Sequence, residues 1–60
     1  MLKFAELLEL LRTDAATLNR WIREGRFPRP DVAITPKSRL WKRETVDAWL
    51  AEQAEAAHAV

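Results

Sequence analysis

Apolar residues recur along this chain at helical spacing in three stretches and at strand spacing in one. In the first stretch Phe4, Leu7, Leu8 and Leu11 stand at i, i+3, i+4 and i+7, with Glu6 and Glu9 outside them, which predicts an amphipathic helix over 2–11. In the second, Leu18, Trp21 and Ile22 fall within one arc at about 100° per residue and predict a helix over 14–24. Its ends are written locally. Asp14 is an N-cap whose carboxylate can accept from the free N–H of Thr17, and Gly25 can take the left-handed position that ends the helix. Only Arg12 and Thr13 lie between the two helices, the tight turn of a helix-turn-helix unit.

Arg26-Phe-Pro-Arg-Pro30 then forbids helix and turns the chain back. Asp31 to Ile34 alternates, with Val32 and Ile34 on one side, and Leu40-Trp41 forms a second extended piece. Thr35 to Arg39 between them is a turn carrying cations, so 31–41 reads as a two-stranded wing with a basic tip. From Arg43 to Ala57 the helical signature returns. Val46, Trp49, Leu50 and Gln53 or Ala57 share a side, while Glu44, Asp47, Glu52 and Glu55 lie elsewhere. This helix, over 43–57, is expected to close the core from behind the ribbon. The sum is a mostly α fold with a small β-ribbon, a winged helix-turn-helix in one domain over 1–60.

Composition sharpens this picture. Sixty residues without cysteine have no disulfide or thiolate–metal staple, so the core rests on three Trp and two Phe. Trp21, Trp41 and Trp49 are expected to meet inside. Glu6 and Glu9 interrupt the leucine-rich start, which excludes a signal or membrane run and predicts a soluble, cytoplasmic chain. The alanine-rich end from Ala54 to Val60 is expected to fray, with His58 a tail residue lacking metal or catalytic partners. No acid/base pair, activated nucleophile, glycine-rich phosphate loop or metal-ligand set is present, so the reading is neither an enzyme nor a cofactor protein.

Charge points to the partner. The net charge is only +1, but Arg12 to Arg43 carries nine basic residues against three acidic, or +6, and the flanks carry Lys3 against six acids, or −5. Such a basic middle marks one anion-facing surface. On the second helix the arc opposite the apolar stripe holds Ala16, Asn19, Arg20 and Arg23, beside Thr17 in the first turn. An amide can pair bidentately with an adenine edge, and a guanidinium with guanine or phosphate, so this arc suits a groove of double-stranded DNA. Arg26 extends the basic run, and Lys37, Ser38 and Arg39 on the wing offer a second contact to phosphate or minor groove. The competing readings are a solvated helix face and a hairpin whose charges discourage edge pairing.

The run from Thr17 to Pro30, with Arg39-Leu-Trp41 and Thr45-Val-Asp-Ala-Trp-Leu50 after it, resembles the AlpA-like and excisionase-type winged-helix DNA-binding proteins of the MerR-like helix-turn-helix group. The resemblance implies that the helix opened by Asp14 enters the major groove, with Ala16 and Asn19 nearest the bases. Arg20 and Arg23 would grip bases or phosphates, and Lys37 to Arg39 would lie along the neighbouring minor groove or backbone. Two departures stand out. Arg12 and Thr13 replace the usual glycine and apolar residue of the turn, and Ala16 replaces a longer polar side chain, which shifts weight to DNA shape.

Function by resemblance is a phage- or mobile-element DNA-binding protein at the bacterial nucleoid, either an excisionase (recombination directionality factor) or a transcriptional regulator. Further copies on adjacent sites would supply affinity. The excisionase version adds an integrase as partner, for which the acidic last helix is the available surface. The alternatives are the DNA-binding module of a terminase small subunit and a protein-interaction adaptor.

Overall fold

The computed structural model describes residues 1–58. Its elements are β1 (Leu2–Lys3), α1 (Phe4–Leu11), α2 (Ala15–Arg23), β2 (Val32–Ala33), β3 (Arg39–Trp41) and α3 (Arg43–His58). The three strands form one antiparallel sheet in the order β1-β3-β2. With α1 and α2 as the helix-turn-helix and β2–β3 as the wing, this is the mostly helical, winged architecture that the hydrophobic pattern predicts.

One boundary differs. Leu2 and Lys3 are strand, not the first turn of α1, because they pair with β3 in the register Leu2↔Trp41 and Lys3↔Leu40. Helix α1 begins where the Glu6 carboxylate accepts from the Lys3 N–H at 3.0 Å. It ends at Arg12, whose left-handed backbone (φ 50°) lets the Thr13 and Arg12 N–H groups donate to the Leu8 and Glu9 carbonyls. Helix α2 ends the same way on Gly25 (φ 77°), with Arg26 and Gly25 donating to Trp21 and Ile22. Both are Schellman closures; glycine adopts this backbone freely and arginine at a cost.

The core comprises Leu7, Leu18, Trp41 and Val46, one each from α1, α2, β3 and α3, and Phe27 from the segment after α2. Burying Leu7, Leu18 and Val46 contributes about 1.5–3 kcal/mol each. Of the tryptophans only Trp41 is fully buried; Trp21 and Trp49 pair at 6.2 Å at the half-buried margin, and Phe27 joins Trp49 to Trp41. The expected meeting of all three rings therefore occurs through Phe27. Two indoles also hold the proline corner, Trp49 donating to the Arg26 carbonyl at 2.6 Å and Trp41 to the Pro28 carbonyl at 2.9 Å.

Two apolar expectations fail. Ile34 is 78 % exposed, since β2 stops at Ala33 and nothing covers the next residue. The buried side of α3 ends at Trp49, leaving Leu50, Gln53 and Ala57 exposed as the helix runs past the body. The described part of the alanine-rich end is helical to His58; the Ala59–Val60 part of the fraying expectation lies outside the described residues.

Candidate nucleic-acid interface

Asp14 starts the exposed helix: its Oδ1 accepts from the Thr17 N–H at 2.7 Å. The Thr17 hydroxyl and then its backbone N–H hold the Asp14 carboxyl below its ordinary value of 3.8, with Arg20 adding attraction against the opposing desolvation. Thr17 is half-buried, and its N–H is spent on this cap. With Leu18 at 0 % exposure and Trp21 and Ile22 packed on the core, the opposite arc is forced outward, and Ala16, Asn19, Arg20 and Arg23 are all exposed. Neither Arg20 nor Arg23 has an ion-pair partner among the described residues.

The wing meets this arc directly. Arg39 donates from Nη1 to Asn19 Oδ1 at 3.0 Å, across twenty residues of sequence. Its guanidinium lies over the Phe4 ring at 4.2 Å and 5.9 Å from Trp41, and its Nε is buried without a partner. Arg39 is thus a half-buried strand residue at the level of Asn19 rather than a free cation at the wing tip. Cation–π attraction of about 0.5–2 kcal/mol offsets part of the cost of the unpaired N–H.

The tip itself is Thr35 to Ser38, closed by the Ser38 N–H on the Thr35 carbonyl and the Lys37 N–H on the Thr35 hydroxyl. Lys37 and Ser38 are exposed there, and they line one cleft with Lys3 and Phe4 of the chain start. Lys3 is a basic group that sequence reasoning missed; the only signal was its being the lone cation of an acidic flank. Phe4, assigned to the core, is also the platform under Arg39. Arg26 falls apart from this assembly. It lies beside Trp21 and Trp49, and its Nε pairs with Glu24 at 3.6 Å.

Asp31 anchors the wing to α3 from its other end. Its two oxygens accept from the Lys42 N–H at 2.9 Å and the Thr45 hydroxyl at 3.3 Å. The Lys42 N–H is the main cause holding its carboxyl below the ordinary value, with Thr45 and the Lys42 charge acting the same way against desolvation. No group of His, Cys, Asp and Glu able to hold a metal occurs among the described residues, and no described helix is long and apolar enough to cross a membrane.

A two-helix unit with a tight turn, an outward basic helix face and a wing joined to that face form one surface. Residues 1–54 match the sequence model of the Helix-turn-helix domain family. The chain belongs to that family. Comparison with curated proteins and with solved structures finds no match. Membership of the Helix-turn-helix domain family makes this a DNA-binding domain, of a class that is generally non-enzymatic.

Proposed function

We propose that this helix-turn-helix domain binds specific duplex sites of a phage or mobile element, with α2 in the major groove and the wing tip on the adjacent minor groove or backbone. Ala16 and Asn19 face the bases, Arg20 and Arg23 grip bases or phosphates, and Lys37 and Ser38 follow the neighbouring backbone. The observation that carries the reading is the Arg39–Asn19 bond, which joins the wing to the outward face of α2 as one surface. A uniformly solvated helix face has no need of such a strut.

Its role is that of an excisionase or an AlpA-like transcriptional regulator, MerR-like in ancestry and working in the bacterial cytoplasm at the nucleoid. A domain of this size makes few contacts, so copies on neighbouring sites supply affinity. In the excisionase role those copies bend DNA for an integrase, and the exposed, acidic half of α3 beyond Trp49 is the surface left for that protein. A mobility-shift titration on DNA flanking the gene tests this. Stepwise complexes with bending support excision; one complex on unbent DNA speaks for a regulator, and no complex surviving competitor DNA rejects both.

A further inference from the structure

We propose that Arg39 is a positioning residue that turns the amide of Asn19 so that it meets DNA as a hydrogen-bond donor, selecting a base edge that offers acceptors, guanine before adenine. The proposal rests on α2 entering the major groove. A guanidinium carries donors only, so its 3.0 Å contact assigns the Asn19 oxygen to the Arg39 side and directs the Nδ2 amino group away from it. The strut is not a floating surface arginine. Arg39 sits in β3 paired with Ala33, its guanidinium lies on Phe4, and its Nε is already buried.

This orientation decides what Asn19 can read. Bidentate pairing with adenine uses the amide oxygen on the adenine amino group and the amide nitrogen on N7 together. Arg39 occupies one of the two lone pairs of that oxygen, so rotating the amide to set oxygen and nitrogen together against adenine would have to break a charge-assisted bond. With the amide plane held by that bond, the two Nδ2 hydrogens are its fully free groups. Guanine presents N7 and O6 to them, adenine only N7, and cytosine an amino donor that repels them.

The test uses a duplex recovered by selection from a random-sequence pool with the parent domain, in which each purine is replaced in turn by its 7-deaza analogue. At one position the replacement is expected to weaken the parent about fivefold, the effect of one lost hydrogen bond, and to leave Asn19→Ala unchanged. Arg39→Met keeps an apolar stem on Phe4 without a donor, and is expected to lose the guanine-over-adenine preference at that position. Should Arg39→Met not fold, Asn19→Asp carries the test: it keeps the Arg39 partner but turns an acceptor outward, so preference moves towards cytosine. The inference is overturned if no 7-deaza position depends on Asn19. It is equally overturned if adenine is preferred there and loss of its amino group costs as much as loss of N7, or if Arg39→Met retains the parent preference. Selection that recovers no sequence above background overturns the functional reading itself and this inference with it.

Discussion

Phe27 meets Trp49 in a T-shaped contact, with ring centroids 4.9 Å apart and planes at 66°. The same ring makes a second T-shaped contact with Trp41 at 6.1 Å, and is itself 2 % exposed. It therefore ties α3 to the sheet immediately after the helix-turn-helix. Phe27→Ala is expected to cost about 3–5 kcal/mol. A core of this size supplies about that much in total, so the variant should be largely unfolded at 25 °C by circular dichroism. Phe27→Leu, which keeps most of the volume, should fold with a lowered melting temperature. An alanine variant as stable as the parent would mean that Phe27 does not hold the core.

Both helix-ending residues have positive φ, but only one is glycine. Arg12→Gly removes the left-handed penalty of an L-residue and should stabilise the domain by about 0.5–1 kcal/mol in urea titration, after the added freedom of the unfolded chain is deducted. Gly25→Ala should destabilise by about 1 kcal/mol. A methyl there meets nothing within 4 Å, so the loss would be backbone strain alone. Opposite signs for the two substitutions are the signature; equal signs would mean that backbone strain is not the cause.

The carboxylates of the Asp14 cap and the Asp31 anchor make stability depend on acid. The folded pKa values of Asp14 and Asp31 both lie below 3.8, so the folded state favours their charged forms. That contribution is present above the ordinary carboxylate value and is lost as pH falls through the folded values. The melting temperature should be level from neutral pH to about pH 5 and drop below about pH 4. Asn is an equally good N-cap, so Asp14→Asn should fold at neutral pH and show a shallower acid limb. An unchanged limb in both Asp14→Asn and Asp31→Asn would discard the linkage.

What was legible in the sequence follows from the range over which each feature is determined. The Asp14 cap, the Gly25 stop and the Leu18–Trp21–Ile22 stripe are settled within a dozen residues, and the fold reproduces them. Leu2 and Lys3 read as the start of the helix although its apolar period begins only at Phe4, whereas their conformation is set by pairing with Trp41 and Leu40. Ile34 and Leu50 fit an apolar period, but β2 is too short and the buried part of α3 ends too soon for a neighbour to cover them. The Asn19–Arg39 bond was equally hidden, since no spacing within α2 or the wing encodes a contact between them. Local chemistry predicted the faces; only the tertiary fold set one against the other.

Arg20 and Arg23 are exposed and without ion-pair partners among the described residues, so their removal should act on DNA affinity with little effect on stability. Surface substitutions of this kind stay within about 0.5 kcal/mol of the parent. Each phosphate contact contributes about 0.9 to the slope of log affinity against log salt. Arg20→Ala, Arg23→Ala and Lys37→Ala should each reduce that slope by about one contact where the side chain meets phosphate. A side chain that instead reads a base lowers affinity on the selected site by about 1–3 kcal/mol and leaves the slope on random DNA nearly unchanged. Arg26→Ala is the internal control, because its guanidinium is paired with Glu24 whereas those of Arg20 and Arg23 have no ion-pair partner among the described residues. Fluorescence anisotropy from low to physiological salt separates these cases. If Arg26→Ala lowers the slope while Arg20→Ala and Arg23→Ala do not, the DNA does not lie against the Asn19–Arg20–Arg23 face of α2.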